Sequence, residues 1–393
     1  MRTWLSASLA LACSIGVAQP PPVADVTGEI RYLKYGVEAR GRTVAWKDLR
    51  SIEDVPPAAD ALNAEFAERQ RQRPKEVVAH VRLGTWARER GLAAEATAEF
   101  EAALAIDPEN GAARRALGWV RVEKEWKRTE DLLAERLRAL QPDTTKGRLD
   151  LAKWCGENGC PDGEWRLLVG VAVANPRDKG MIAQMKPLVA RRRQHTALLA
   201  PLSGRWLAVV DRTKHHQAKV YAMEAIDFRK VDADGSTWTG SGKKLEDHYS
   251  FDCVIRACAD GVVTDVEDGY DDMPPGVAGK YDEANGVDIE HDASESTEYG
   301  HIRKGSALVK KGEKVRAGQP IARVGNSGAS GVPHLHFSLS TPVADDAGNG
   351  EWIGVPWRLR GFRVVDVGGK PCDFEARVAR VCEGWTVLFP ELP

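Results

Sequence analysis

Gly325-Asn-Ser-Gly-Ala-Ser-Gly-Val-Pro-His334-Leu-His336-Phe-Ser-Leu339 reads as a Gly-rich turn feeding an alternating strand. Residues two apart on a strand share a face, so His334 and His336 project side by side while Leu335 and Phe337 turn the other way. Two imidazoles on one face after such a turn need a shared reason: one can bind a metal ion while the other reaches a substrate. Seven of the nine histidines follow residue 214, and the texture around them is uniform. From about Leu202 short Val, Ile and Tyr runs are broken by Gly, Asp and Pro, which predicts a β-rich domain. Polar stretches near 229–250 and 268–285 are too long for tight hairpins and read as inserted surface loops.

Upstream, from about Pro74 to Arg193, Ala, Leu, Arg and Glu dominate with helical periodicity. Pro108, Pro142 and Pro176 are spaced by 34 residues and close the phrases Ala-Ile-Asp-Pro-Glu, Ala-Leu-Gln-Pro-Asp and Val-Ala-Asn-Pro-Arg; Leu83, Leu117 and Leu151 keep the same period. This resembles a tetratricopeptide array. In the first repeat Leu83-Gly84, Gly91, Ala96, Phe100, Ala103 and Pro108 carry the resemblance, the small residues letting two helices approach closely. Trp154 and Gly159 in the third repeat match Trp86 and Gly91, whereas the middle repeat has Glu125 and Glu130 where Gly91 and Ala96 would stand. Such an array presents a concave surface to a protein partner or braces the β-rich domain.

The block Phe251 to Leu339 resembles the catalytic core of the M23, lysostaphin-like, peptidases along its whole length. Cys253-Val-Ile-Arg-Ala-Cys-Ala-Asp-Gly261 is similar to the family's strand and Gly turn, Asn285-Gly-Val-Asp-Ile-Glu-His291 to its central strand, and Tyr299-Gly-His301 to its Tyr-x-His phrase. Val315-Arg-Ala-Gly-Gln-Pro-Ile-Ala-Arg-Val-Gly325 is similar to the hairpin before its His-x-His strand. The resemblance implies a zinc ion held by a His and an Asp near the domain start and by the second His of His-x-His. Those positions are His216, with His215 as the alternative, Asp227 in Tyr221-Ala-Met-Glu-Ala-Ile-Asp227-Phe228, and His336. Ten residues separate His216 from Asp227, where many members have three. His301 and His334 become the unligated catalytic pair, one taking the proton of the attacking water and the other stabilising the oxyanion, in either assignment. Three ligands leave zinc's fourth position for water, the mark of a catalytic site.

The fold class expected is therefore a multidomain α + β chain: a signal peptide at 1–18, a mixed segment at 19–73, tetratricopeptide-like helices at 74–193, an antiparallel-sheet peptidase domain at 202–345, and an extension at 346–393 packed on it. The leader is Met1-Arg2, an apolar run from Leu5 to Ile15, and Gly16-Val-Ala18; it predicts export to the periplasm or cell envelope, with lipid attachment at Cys13 as the rival reading. A net charge of −2 gives no bias toward nucleic acid, and no stretch approaches the roughly 20 apolar residues of a membrane span. Peptidoglycan is the partner implied, and its stem or cross-bridge peptides the substrate. The alternative is an inactive M23-like domain that binds and activates a cell-wall amidase, with the repeats as scaffold. Cys155 with Cys160, Cys253 with Cys258 and Cys372 with Cys382 are near neighbours able to form local disulfides or to serve as small buried residues. His80, His195 and His248 read as satisfied polar residues, His291 as structural, and the acidic loop at Asp268, Asp271 and Asp272 as solvated rather than calcium-binding.

Overall fold

The computed structural model of the chain describes residues 24–39, 41–55, 59–190, 192, 194–210, 219–292 and 294–391. The leader with Cys13 and the His215–His216 pair lie outside the described residues. Helices fill the chain from Ala59 to Val189 and strands occupy it before and after, so the α + β class holds. No helix among the described residues is long and apolar enough to cross a membrane.

The first expected repeat is a helix pair, Val77–Glu89 and Ala93–Ile106, turned at Gly91 with a left-handed φ of 80°. The two helices touch at Gly84: a Cβ there would lie 2.9 Å from the Phe100 ring, so only glycine permits the approach. Leu83, Ala87, Ala96, Phe100 and Ala103 are buried between them and form, with Phe66 and Ala113, a small core of their own. The third repeat is the pair Thr145–Glu157 and Pro161–Ala174, turned at Gly159.

The middle repeat departs from the periodic reading. After a six-residue helix, Gly111–Ala116, the chain forms a hairpin, Trp119–Val122 with Glu125–Arg128, before the helix Thr129–Ala139. The sequence explains it: Trp, Val and Arg alternate here, which suits a strand better than a helix. Across the hairpin the Arg128 guanidinium lies 4.6 Å from the Trp119 ring and that of Arg121 5.9 Å from Trp126. Helices beyond the hairpin join a second, larger core, in which Leu151, Leu168, Met181 and Met185 are continuous with the interior of the sheet.

That sheet has thirteen strands and does not respect the expected boundaries. In spatial order it runs Ala24–Gly28, Leu49–Asp54, Pro371–Ala379, Leu359–Val367, Trp385–Phe389, Gly204–Val209, Ile226–Lys230, Leu335–Ala344, Ser296–Gly300, Gly286–Glu290, Gly261–Glu267 and Lys314–Val315, with Gly350–Gly354 pairing the distal half of Leu335–Ala344. The mixed segment before the helices and the extension after residue 345 thus supply strands to the same sheet that carries Asp227, Gly300 and His336. Pairing is antiparallel except where Leu49–Asp54 meets Ala24–Gly28 and Pro371–Ala379. Phe362, Phe374, Trp385 and Phe389 all turn inward and belong to the core. A half-buried ion pair, Arg358 to the buried Asp54 at 2.7 Å, links the strands before the helices to those that follow residue 345.

Candidate active site

The site is assembled by strand register. Asp227 and His336 stand directly opposite each other on neighbouring antiparallel strands, and His336 is in turn opposite Gly300, which is opposite Gly286. The two glycines leave the sheet surface bare beside His336: a Cβ on Gly300 would press to 3.2 Å from that of His336. The gap is part of a cavity of about 170 Å³ lined by His301 and His336, with Tyr221, Tyr281, Asp288 and Glu298.

Three histidines and one carboxylate meet here. The Asp227 Oδ1 lies 3.1 Å from His336 Nδ1 and 3.4 Å from His334 Nε2, and the side chains are only 5, 10 and 7% exposed. The His301 ring centre is 4.7 Å from that of His334 and 5.9 Å from that of His336. His301 holds a left-handed φ of 60°, a conformation non-glycine residues rarely adopt. Its ring is fixed by Nδ1–H donating to the Ser327 carbonyl at 2.8 Å, and its own carbonyl accepts from the Gly325 N–H.

The Gly-rich turn earns its rigidity from side chains that the pattern of glycines conceals. Asn326, fully buried, donates to the Met273 carbonyl at 2.6 Å and accepts from the Ser330 hydroxyl at 2.6 Å. Ser327 Oγ accepts from the Asn285 N–H and donates to the Ile302 carbonyl. His334 Nδ1 is 2.7 Å from the Val332 carbonyl and 3.1 Å from Ser330 Oγ. The acidic loop is part of this scaffold, and the expectation that it is solvated is corrected for two of its residues. Asp268 accepts from the backbone N–H groups of Gly305, Ser306 and Ala307, and Asp272 from those of Asn326 and Lys304. Asp271 alone stays exposed, with Lys304 at 2.6 Å.

Carbonyl oxygens only accept, so the Nδ1 atoms of His301 and His334 carry protons and their Nε2 atoms are left for chemistry. Burial, then the neighbouring His334 and His336, hold His301 well below the ordinary histidine range, so it is neutral near pH 7. For His336 burial opposes the charge, but the hydrogen bond it donates to Asp227 and the carboxylates of Glu298 and Asp227 outweigh it and the net shift is upward. The donor set suits zinc. A tetrahedral zinc with ligands at about 2.0–2.2 Å separates neighbouring donors by roughly 3.3 Å, close to the observed Asp227–His336 spacing of 3.1 Å. Among the described residues no group of three His, Cys, Asp or Glu is disposed to enclose a metal ion. The remaining candidate ligand, His216 or His215, lies outside them.

The other histidines are elsewhere. His291 is buried between the Asp260 carbonyl at 2.8 Å and Thr297 Oγ1 at 3.0 Å, His80 is paired with Glu99 at 2.8 Å, His248 meets the Gly242 carbonyl at 3.0 Å, and His195 is exposed. The sequence reading missed the cavity's other polar residues, among them Tyr221, Asp265, Tyr281, Asp288 and Glu298. The signal for Asp288 is present as a lone polar residue between Val287 and Ile289, but an alternating strand says nothing of what faces it.

Residues 249–349 match the model of Peptidase family M23. The murein hydrolase activator EnvC of Escherichia coli (strain K12) is 49% identical over 53 residues, 14% of this chain and 12% of that protein. The peptidoglycan DD-endopeptidase ShyC of Vibrio cholerae serotype O1 is 29% identical over 157 residues, 37% of this chain and 31% of its own length. The chain thus spans less than a third of either relative. Among solved structures, a zinc containing peptidase from Vibrio cholerae is 24% identical over 38% of this chain and 36% of that one, with a TM-score of 0.21. The catalytic domain of lysostaphin from Staphylococcus simulans is 17% identical over 39 and 88%, with a TM-score of 0.22. Carrying His301, His334 and His336 on the strands and turn described above, residues 249–349 are a Peptidase family M23 domain.

Proposed function

We propose that this chain is an exported zinc-dependent endopeptidase that hydrolyses peptide bonds in the stems or cross-bridges of peptidoglycan. The observation that carries the reading is the convergence of His301, His334 and His336 on one side of Asp227, beside an open cavity. Asp227 and His336, with His216 or His215, would hold zinc, which supplies Lewis-acid polarisation of a carbonyl and acidification of a water. His301, kept neutral by burial, is fit to accept a proton at Nε2. His334 Nε2, oriented by the Val332 contact on its other nitrogen, faces the same centre and, once it has taken up a proton, is placed to donate to the tetrahedral carbon's oxygen; the two roles are exchangeable. The helices are read as a brace and a protein-binding surface.

A second reading is favoured by the similarity to EnvC, a murein hydrolase activator: the domain binds a cell-wall amidase and cuts nothing. Retention of Asp227, His301, His334 and His336 favours the enzyme. The test is incubation of the protein with purified cross-linked sacculi, with chelator and with zinc restored, beside the His336→Ala variant. Zinc-dependent loss of cross-linked muropeptides, absent in the variant, supports the endopeptidase and identifies its bond. No release on sacculi of several wall chemistries transfers the assignment to the activator.

A further inference from the structure

The cavity beside His301 and His336 holds more carboxylate than hydrolysis requires. Asp265, Asp288 and Glu298 occupy consecutive positions of one cross-strand row, Asp265 opposite Asp288 and Asp288 opposite Glu298, and all three line the cavity. Like charges directly opposite one another destabilise a sheet. Asp265 has Lys311 at 3.8 Å on the exposed edge. Glu298 accepts from the Ser338 hydroxyl at 3.1 Å and lies 3.9 Å from His336 Nε2. Among the described residues no Lys or Arg forms an ion pair with Asp288 or Glu298.

Asp288 sits on the cavity floor, where burial first, then Glu298 and Asp265, push its carboxyl up to about 8. The opposite wall is aromatic. Tyr221 and Tyr281 bring their hydroxyls to 3.5 Å, and the ammonium of Lys219 rests 4.4 Å from the Tyr281 ring and 5.0 Å from that of Tyr221 while donating to the Tyr221 hydroxyl. This wall therefore already accepts one primary ammonium from the chain itself. At about 170 Å³ the space exceeds by roughly tenfold the 10–15 Å³ that a single water needs.

The geometry points to a substrate subsite for a primary ammonium, in which Asp288 and Glu298 bind the free side-chain amine of a diamino-acid residue in the peptide being cut. The assignment rests on the hydrolase reading for its substrate, but the binding can be measured without it. Asp288 is two strands over and two residues along from His336, which at about 4.8 Å per strand and 3.4 Å per residue is roughly 12 Å between Cα atoms. That distance suits an extended side chain whose own residue lies next to the scissile bond. An entering ammonium restores the charged form of Asp288 that burial disfavours, whereas a peptide carboxylate at the same place gains no such partner and meets Glu298, so the row selects by charge.

The test uses two matched cross-linked peptides, one with its side-chain amine free and one with that amine acetylated. Binding to full-length His336→Ala protein is measured by fluorescence anisotropy, and hydrolysis by the unsubstituted protein in parallel. Acetylation is expected to weaken binding by about tenfold, the value of one charge-assisted contact, and Asp288→Asn to abolish most of the difference between the peptides. Equal affinity for both peptides overturns the subsite even if both are cleaved. Discrimination without cleavage keeps the subsite and overturns the hydrolase reading. Discrimination undiminished in Asp288→Asn overturns the assignment to this row, and the acetylation comparison stands even if that variant fails to fold.

Discussion

Helices Val77–Glu89 and Ala93–Ile106 close on a core of their own around Phe66, Leu83 and Phe100, whereas Thr145–Glu157, Pro161–Ala174 and Lys179–Val189 bury Leu168, Met181 and Met185 in the same interior as the sheet. Equivalent repeats by spacing are thus different in kind by packing. The later helices also reach the site: the Pro176 carbonyl accepts from the Val220 N–H at 2.9 Å, and Arg177 stacks 5.1 Å from the Tyr281 ring in the cavity wall. The early pair has a separate core, and units of that sort open independently. One half of the helical region is an attached module and the other shares the interior of the large sheet.

The comparison can be broken at several points. His336→Ala removes a candidate metal ligand and should take sacculus hydrolysis to the uncatalysed background together with bound zinc, measured by muropeptide release and elemental analysis, while both helical halves melt unchanged. His301→Ala should lower kcat by about 10²–10⁴ with zinc retained, since it removes a proton acceptor and not a ligand. Retained activity would remove His301 from the mechanism.

Packing variants sharpen the contrast. Phe100→Ala should cost about 3–5 kcal/mol in the unfolding of the early helices, and Leu168→Ala about 2–5 kcal/mol in the main transition. Hydrogen exchange should localise the first effect to residues 59–117, with hydrolysis nearly unaltered, while the second lowers both stability and hydrolysis. Equal loss of activity in the two would mean the halves are not distinct. The smallest effect expected is that of Asp288→Asn. A carboxyl raised to about 8 in the folded state contributes stability that is complete below its unfolded value near 4 and is lost as pH rises through 8. The Asn variant lacks that loss, so urea midpoints at pH 5, 7 and 8.5 should diverge in its favour as pH rises, by at least about 1 kcal/mol at the top. A constant difference would show that Asp288, beside Asp265 and Glu298, is not protonated in the native state.

What the sequence made legible was whatever depends on short spacing. His334-Leu-His336 announces its shared face because the side-chain period of a strand is two, and Gly84 with Phe100 announces a close helix pair because the spacing matches a repeat. Asp227 could be suggested by family resemblance alone: its partnership with His336 spans 109 residues and depends on the register of two strands. The acid row was hidden for the same reason, since Asp265, Asp288 and Glu298 are neighbours across strands and strangers along the chain. The middle repeat failed differently, because a 34-residue period survives in its prolines while Trp119 to Arg128 prefer to alternate. Asp268 and Asp272 read as solvated because nothing local shows that backbone N–H groups 32 to 54 residues on will fold over them.

The order of strands in the large sheet has a consequence for synthesis. Asp227 lies on a strand whose outer neighbour, Gly204–Val209, is covered by Trp385–Phe389, and the sheet beyond continues through Leu359–Val367 and Pro371–Ala379 to strands formed from residues 24–54. A chain emerging from its N-terminus makes the histidines before it makes the strands that seal this flank, and non-local pairings of this kind form late. A nascent chain halted after Ala344 would carry His301, His334 and His336 yet leave Gly204–Val209 as a raw edge, open to pairing with other chains. The flank of the sheet beside Asp227 is therefore complete only once the last strands of the chain have been made.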